Sequence, residues 1–395
     1  MPNVVLKENV NWVGVVDWNI RDFHGYTTSR GTTYNAYLIR DEKTALIDTV
    51  KCNFAEELAR NVEELTNFDK IDYIIVNHVE MDHSGSLPEI AKLAKNAKII
   101  ACQRGKDAII DHYGHDFDGV EVVKTGDELK LGKHTLRFIE TPMLHWPDSM
   151  FTYDVEDKIL FSNDAFGEHF ASSERFDDEA DQQMLWEECK TYYANILTPF
   201  APLIIRKVQE VVKMDISIEI IAPDHGVIWR KDPAKIIDAY LRWSSFVPTQ
   251  KVIIVFDTMW GSTDKMARAI EAGVASEGVD VRLLKLRATD QTDIVTEILD
   301  AKAVIMGSPT LNSGMFPTAS SFLTYITGLK PRGKLWAFFG SFGWGGGAVR
   351  GMVEVAKKAG FDVYEPTVEV KYVPDMEDLK KCFDFGRQIA QKIKA

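Results

Sequence analysis

The stretch that decides the fold is His78-Val79-Glu80-Met81-Asp82-His83, which holds four side chains able to bind metal within six positions. It follows the apolar run Ile71-Asp72-Tyr73-Ile74-Ile75-Val76, which has the length of a buried strand. It precedes Ser86-Leu87-Pro88-Glu89, which is typical of a helix start capped by Ser86. The polar side chains therefore lie on a loop at the carboxyl end of a strand, where α/β proteins hold their functional groups. In an extended loop alternate side chains point the same way, so His78, Glu80 and Asp82 are predicted to converge.

Three further residues follow strand-like runs in the same manner. His145 comes after the stretch 135–141, Asp164 after the apolar run 158–161, and His225 after the run 218–222. A single His or Asp in a loop is usually only solvated, and the six-residue cluster alone is compatible with a polar turn. The repeated placement at strand ends favours a shared metal site over these alternatives.

The pattern H-x-[EH]-x-D-H, followed by His, Asp and His, resembles that of the metallo-β-lactamase fold. Zinc hydrolases of that fold usually carry His where this chain has Glu80, and Glu at this position resembles the flavodiiron proteins, also called A-type flavoproteins. The resemblance covers essentially the whole chain. It implies that one iron is held by His78, Glu80 and His145, that the other is held by Asp82, His83 and His225, and that Asp164 bridges them.

The donor set agrees with a pair of iron ions. Two divalent ions carry four positive charges, and the three carboxylates of the set neutralise three of them. A hydroxide bridge would neutralise the fourth. Imidazole suits zinc, copper and iron alike, whereas a carboxylate is a hard anionic donor. This balance suits ions that cycle between Fe(II) and Fe(III), and it leaves zinc and manganese open.

Composition indicates a soluble protein of about two or three domains, since the chain has 395 residues, of which 45% are hydrophobic and 27% charged. No apolar run approaches the length of a membrane span, and the first residues lack a signal pattern, so we expect a cytoplasmic protein. The net charge of −13 argues against nucleic acid and anionic membranes as partners.

The four cysteines, at 52, 102, 189 and 382, form no CxxC pair. This excludes a rubredoxin-type iron site within the chain. Some members of the family that the chain resembles carry their own rubredoxin domain. Electrons are therefore expected from a separate molecule, with rubredoxin or another small electron donor as the family expectation.

A domain boundary is predicted at 247/248. An amphipathic helix from Asp232 to about Ser245 is broken by Val247-Pro248, because the residue before proline disfavours the helix, and the apolar strand 251–257 follows. Residues 1–247 are predicted to form a metallo-β-lactamase-like αββα sandwich. Residues 248–395 alternate strand, loop and helix, and are predicted to form a flavodoxin-like doubly wound parallel sheet.

Three loops at strand ends of the second domain are candidates to bind FMN. The first, which leads into a helix, resembles the phosphate loop of flavodoxins and lacks both GK[ST] and GxGxxG, although such turns are also common helix caps. All three are expected at the carboxyl edge of the sheet, where flavodoxin-like folds bind FMN. Their candidate residues are Thr258, Met259, Trp260, Gly261, Ser262 and Thr263 in the first loop, Pro309, Thr310, Leu311 and Asn312 in the second, and Ser341, Phe342, Gly343, Trp344, Gly345 and Gly346 in the third.

Aromatic and pocket residues complete the candidates. Trp260, Phe342 and Trp344 could flank the flavin ring, or serve as ordinary core or surface aromatics. His24 and Tyr193 resemble residues that lie beside the metals in the family, and His169 is another candidate for this pocket. A purely structural His or Tyr is the alternative at these positions.

The resemblance implies reduction of O2 to water or of NO to N2O, with electrons relayed through FMN. It also implies a head-to-tail homodimer, or a dimer of dimers, in which the FMN of one subunit faces the irons of the other. The alternatives are a two-zinc hydrolase, of the lactonase or thioesterase type, fused to a flavodoxin-like domain, and a flavoprotein electron carrier. Glu80 and the three loops argue against the hydrolase, and the seven converging residues have no role in an electron carrier. The sequence does not choose between O2 and NO.

Overall fold

A computed structural model describes residues 4–214 and 216–395. The described chain divides into two compact units. The first holds the described residues up to Tyr193 together with Phe200–Leu241, and the second holds Ala194–Pro199 together with Arg242–Ala395.

The first unit contains sixteen of the strands described here. They are β1 (Val4–Lys7), β2 (Val10–Trp12), β3 (Val15–Asp17), β4 (Asp22–Phe23), β5 (Tyr26–Thr27), β6 (Thr32–Tyr34), β7 (Tyr37–Arg40), β8 (Thr44–Ile47), β9 (Ile71–Ile75), β10 (Lys98–Cys102), β11 (Glu121–Val123), β12 (Glu128–Lys130), β13 (Thr135–Glu140), β14 (Met150–Asp154), β15 (Ile159–Phe161) and β16 (Ile220–Ala222). The helices are α1 (Ala55–Glu63), α2 (Met81–Ser84), α3 (Leu87–Leu93), α4 (Gln103–Tyr113), α5 (Gln182–Tyr192), α6 (Ala201–Lys213) and α7 (Pro233–Ser244), the last of which continues past Leu241.

Two sheets form the centre of this unit. One has the strand order β1-β2-β7-β8-β9-β10-β11, and the other has the order β12-β13-β14-β15-β16. Alternate residues of both sheets, such as Ile75 from β9 and Phe161 from β15, share one hydrophobic cluster, so the sheets pack face to face. The opposite face of the first sheet packs on α1, α3 and α4 through residues such as Leu46 and Ile90. This arrangement is the sandwich predicted for the metallo-β-lactamase fold.

The chain around the decisive stretch departs from the predicted extended loop. Residues 81–84 form the short helix α2, which begins directly after Glu80. Asp82 joins His83 and His225 in one group of possible ligands, while His78 and Glu80 belong to the other, so the three side chains do not meet at a single metal position. Ser86 precedes α3 but makes no side-chain cap bond, because its hydroxyl instead accepts the amide of Val50 at 3.1 Å.

The second unit is built on a mainly parallel sheet with the order β18-β17-β19-β21-β22. Its strands are β17 (Lys251–Phe256), β18 (Asp280–Lys285), β19 (Ala303–Leu311), β20 (Gly314–Met315), β21 (Leu335–Phe342), β22 (Asp362–Val363) and β23 (Val368–Lys371). Its helices are α8 (Ser262–Ala275), α9 (Gln291–Ile298), α10 (Pro317–Leu329), α11 (Ala348–Lys358) and α12 (Met376–Lys394). Helices α8 and α12 pack on one face, and both alternating sets of β17 side chains are buried, as in a sheet covered on both faces.

The strands β19 and β21 run further than the sequence suggested. Pro309, Thr310 and Leu311 belong to β19, and Ser341 and Phe342 belong to β21, although all five were predicted as loop. The extra length is stabilised by pairing, since Pro309 pairs with Ser341 and the end of β21 pairs with β23. Within the described residues, no helix combines the length and apolar character that a membrane crossing needs.

Candidate metal centre and flavin site

The first group of ligand atoms comes from three separate strand ends. It joins His78 and Glu80, which follow β9, with His145, which follows β13, and Asp164, which follows β15. His78 Nε2 lies 3.2 Å from Glu80 Oε2 and 3.3 Å from Asp164 Oδ2. His145 Nε2 lies 3.5 Å from the same Glu80 oxygen and 3.4 Å from the same Asp164 oxygen.

The second group is built from α2 and the loop after β16. His83 Nε2 and His225 Nε2 each lie 3.1 Å from Asp82 Oδ2. The same two imidazole nitrogens lie 3.1 and 3.5 Å from Asp164 Oδ1. Donor atoms bound at 2.0–2.2 Å to one ion are separated by about 3.0–3.5 Å, so the spacing in both groups fits a metal ion.

Asp164 presents a different oxygen to each group. Its Oδ2 faces His78 and His145, and its Oδ1 faces His83 and His225. A carboxylate divided in this way is suited to bridge two ions.

Several buried ligand atoms of the two groups lie close to one another but make no properly aligned hydrogen bond among the described residues. They are both oxygens of Asp82, Oδ2 of Asp164, and Nε2 of His145 and of His225. Leaving buried polar atoms unpaired is costly unless something else satisfies them, so these atoms fit a bound metal. The hydrogen bonding of His225 also fits a bound metal. Its Nδ1 donates to the carbonyl of Thr33 at 2.6 Å, which leaves Nε2 as the ligand atom.

The electrostatics of the cluster keep its carboxylates ionised. Burial alone raises the pKa of Asp164, but the imidazoles of His83 and His145 outweigh it and hold this pKa well below its usual range. Burial likewise opposes ionisation of Glu80, yet the bonds from His24 and His78 lower its pKa to about 2. Burial lowers the pKa of the His83 imidazole, but Asp82 and Asp164 raise it well above its usual value.

The predicted pocket residues lie at different distances from the cluster. His24 reaches it, since its Nε2 lies 2.5 Å from Glu80 Oε1. The ring of His169 lies 4.7 Å from that of His225. Tyr193 is fully buried, with its ring 5.2 Å from that of Tyr240.

Two contacts of the cluster were not expected from the sequence. The hydroxyl of Tyr192, one residue before the predicted tyrosine, donates to Asp164 Oδ1 at 3.2 Å. The carboxylate of Asp148 accepts a hydrogen bond from His78 Nδ1 at 3.0 Å. Asp148 stands three residues after His145 in the same loop, but this spacing does not indicate a contact with His78.

The three candidate flavin loops meet at the carboxyl ends of β17, β19 and β21. Hydrogen bonds organise the edge: Gly261 donates its amide to Thr258 Oγ1 at 3.0 Å, and the hydroxyls of Thr263 and Ser341 are 2.9 Å apart. Helix α8 begins at Ser262 without a side-chain cap bond, which leaves its first amides available to an anion such as a phosphate. Trp260 and Trp344 are 89% and 95% exposed, which is unusual for aromatic side chains and fits partners for a planar ring.

Each half of the chain matches the model of a known protein family. The model of the ODP family beta-lactamases matches residues 32–226, and the flavodoxin model matches residues 254–386. The fold and the two sites thus define an oxidoreductase with a β-lactamase-like diiron domain followed by a flavodoxin-like domain.

Relatives over the full length specify the family. The chain is 48% identical over 393 residues to the nitric oxide reductase of Moorella thermoacetica, which covers 99% of this chain and 98% of that protein. It is 41% identical to the rubredoxin oxygen:oxidoreductase of Desulfovibrio gigas, with a TM-score of 0.97 and coverage of 99% and 98%. It is 38% identical to the flavodiiron protein of Giardia intestinalis, with a TM-score of 0.96 and coverage of 100% and 97%. The chain belongs to the flavodiiron proteins.

Proposed function

We propose that this chain reduces O2 to water, NO to N2O, or both, at two irons held by the seven clustered side chains. The observation that carries the proposal is Asp164, whose two oxygens each face a separate group of His and carboxylate donors. The flavodiiron relatives support it, since one is named a nitric oxide reductase and another a rubredoxin oxygen:oxidoreductase.

The proposed ligands divide into the same two groups. His78, Glu80 and His145 would hold one iron, Asp82, His83 and His225 the other, and Asp164 both. Glu80 brings a third carboxylate to a site that its zinc-hydrolase relatives by fold fill with imidazole, and hard anionic donors suit iron. The two-zinc hydrolase is therefore not favoured.

FMN and the irons, when bound, supply the electron transfer: O2 takes four electrons and four protons to give two waters, and two NO take two electrons and two protons to give N2O and water. The chain supplies the surroundings. The ligand side chains other than Glu80 and His145 are almost completely buried, which limits water at the reacting centre. His24 is suited to hold a proton at Nε2, because the bond to Glu80 raises its pKa despite the opposing effect of burial.

For Tyr193 we keep a pocket role as a proposal, and Tyr192 is the tyrosine whose hydroxyl contacts Asp164. We assign FMN to the three loops of the second unit. The amides of Ser262 and Thr263 would hold its phosphate, and Trp260, Phe342 and Trp344 would flank its ring. A hydrogen bond within the first loop and another between Thr263 and Ser341 support this assignment because they fix this edge of the sheet before the cofactor binds.

The wider setting is also part of the proposal. Electrons would come from rubredoxin or another small donor, the chain would act as a head-to-tail homodimer, and its location would be the cytoplasm. The name of the Desulfovibrio gigas relative supports a rubredoxin-type donor.

Metal analysis and rapid kinetics test the proposal together. Protein from iron-replete growth should hold about two irons and one FMN per chain. Stopped-flow oxidation of the reduced enzyme by O2 and by NO, side by side, should show turnover with at least one of them. Protein that holds only zinc and gains no activity on reconstitution with iron would contradict the diiron assignment.

A further inference from the structure

Asp148 is a buried carboxylate outside the seven proposed ligands. It lies in the loop between β13 and β14, three residues after His145, and is 3% exposed. A single oxygen, Oδ2, accepts two hydrogen bonds, from His78 Nδ1 at 3.0 Å and from the amide of Val79 at 2.7 Å. The backbone of the loop is held as well, since the thiol of Cys102 donates to the carbonyl of Asp148 at 3.1 Å.

These contacts determine how the His78 ring is used. An ionised carboxylate only accepts hydrogen bonds, so Nδ1 carries a proton and Nε2 is the nitrogen left to face a metal ion. Nε2 is the atom that lies 3.2 Å from Glu80 and 3.3 Å from Asp164 in the first ligand group. The bond to the Val79 amide fixes the carboxylate to the backbone next to His78, which leaves the ring little freedom to rotate.

Two other proposed ligand histidines have different contacts at Nδ1. His83 Nδ1 is 3.6 Å from Asp224, beyond hydrogen-bond distance, and His225 Nδ1 donates to the Thr33 carbonyl. An imidazole whose non-ligating nitrogen donates to a carboxylate binds metal more strongly than one whose nitrogen donates to a neutral carbonyl. Of His78, His83 and His225, His78 is therefore the one whose Nδ1 is hydrogen-bonded to a carboxylate, at 3.0 Å.

We infer that Asp148 is a positioning residue that fixes the orientation and tautomer of His78 for the first metal ion. The inference rests on the proposed metal site. The loop after β13 would then contribute twice to the first site, because it supplies His145 as a proposed ligand and Asp148 as the support of His78.

Two substitutions separate the geometry from the charge. Asp148→Ala removes both hydrogen bonds. Asp148→Asn can keep both, because they fall on one oxygen that an amide also offers, but it removes the negative charge. The matched control is Asp177→Asn, since Asp177 is another buried carboxylate whose single oxygen, Oδ1, accepts two hydrogen bonds, from the amides of Arg230 at 2.9 Å and Lys231 at 3.2 Å.

The measurement is titration of the metal-free protein with Co²⁺, followed by visible absorption and calorimetry. Asp148→Ala should weaken binding at the first site about 10- to 100-fold, with a smaller loss for Asp148→Asn and none for Asp177→Asn. Repeating the titration in a His225→Ala background, which disables the second group, assigns the loss to the first site. FMN content and far-UV circular dichroism should match the wild type.

The outcomes are distinguishable. Wild-type protein that binds fewer than two Co²⁺ per chain would overturn the proposed metal site itself. Wild-type protein that binds two, with equal affinity in Asp148→Ala, would overturn only the positioning role. If Asp148→Ala does not fold, Asp148→Ser takes its place, because its shorter side chain also gives up the hydrogen bond to His78 Nδ1. Wild-type affinity at the first site would then overturn the positioning role, and a selective loss there would support it.

Discussion

At the scale of single residues, Asp164 is the most consequential side chain of the proposed centre, since each of its oxygens faces a different ligand group. Asp164→Ala should lose metal from both sites while FMN stays bound, because the flavin loops belong to another unit of the chain. His225→Ala should be milder and should affect chiefly one ion. Iron analysis and flavin absorbance of the purified variants test this, and Asp164→Ala protein with two irons and full turnover would show the assignment to be wrong.

The pair His134 and Asp154 should give the fold a pH dependence separate from the metal site. The hydrogen bond from Asp154 raises the pKa of His134 above its ordinary value of 6.5, against the opposing effect of burial. A raised folded-state pKa stabilises the fold fully below about pH 6.5, and this contribution is lost as the pH rises through the folded-state value. Asp154→Asn should therefore cost roughly 1.5–3 kcal/mol at pH 6 and less at pH 9.

Urea unfolding of both proteins at the two pH values measures this difference. The control is Asp118→Asn, because the His115–Asp118 pair has a similar distance of 3.1 Å but its histidine side chain is 87% exposed. Exposed pairs contribute little, so the control should change stability only slightly at either pH. Equal destabilisation by Asp154→Asn at pH 6 and pH 9 would rule out the linkage.

The clustering of the seven proposed ligands could be expected from the sequence because each follows an apolar run, and runs of that kind become strands whose ends meet. The contacts of Tyr192 and Asp148 could not be expected in the same way. Asp148 and His78 are 70 positions apart, and their contact depends on how the two sheets pack. Local patterns report on the strand a residue follows and carry no signal for the partner it meets across a domain.

At the scale of elements, the errors lie at ends and turns. The segment after His78 was expected to be extended, yet α2 begins at Met81 and places Asp82 and His83 in the second group. Strands β19 and β21 extend into the predicted flavin loops because they find pairing partners there. Both outcomes depend on neighbours in space, so the elements were predictable while their ends were not.

The loop after β17 should depend on Arg287, which lies just beyond β18. Its guanidinium donates to both oxygens of the buried Asp257, at 3.0 and 2.9 Å, and also to the carbonyl of Thr258. Thr258 begins the proposed phosphate loop, so Arg287→Ala should loosen this loop and weaken FMN binding. The side chain is 49% exposed, so we expect a modest effect of about tenfold in Kd, equivalent to about 1.4 kcal/mol.

Fluorescence titration of the flavin-free protein with FMN measures the effect of Arg287→Ala. Arg268→Ala is the control, because Arg268 pairs with Asp264 on the exposed side of α8 close to the same loop. Iron content should be unchanged in both variants. An unchanged FMN affinity in Arg287→Ala would show that the loop holds its conformation without this cation.

At the scale of the whole molecule, the sequence indicated two domains and the family, because each half carries its own set of strand-end residues. The limits 1–247 and 248–395 remain our proposal, based on the break at Pro248. Assembly is a different matter, since it depends on surfaces with no periodic signal. The head-to-tail dimer therefore has to be tested by experiment.

A mixed dimer tests whether electrons pass between subunits. One chain lacks metal through Asp164→Ala, and the other lacks flavin because Ser262→Asp and Thr263→Asp repel the phosphate at its proposed anion site. Neither homodimer should turn over. The mixed dimer joins the intact flavin of the first chain to the intact metals of the second, so an intersubunit path should recover up to about half of wild-type activity.

An electron path within one chain predicts no recovery, because each chain then lacks half of its own relay. The matched control combines Asp164→Ala with the wild-type chain, which shows how much activity mixing alone preserves. Subunits carrying different affinity tags, purified in two steps, ensure that only mixed dimers are assayed. Verified mixed dimers without activity would refute the head-to-tail arrangement and would leave the diiron assignment standing, since metal and flavin content are measured on each chain separately.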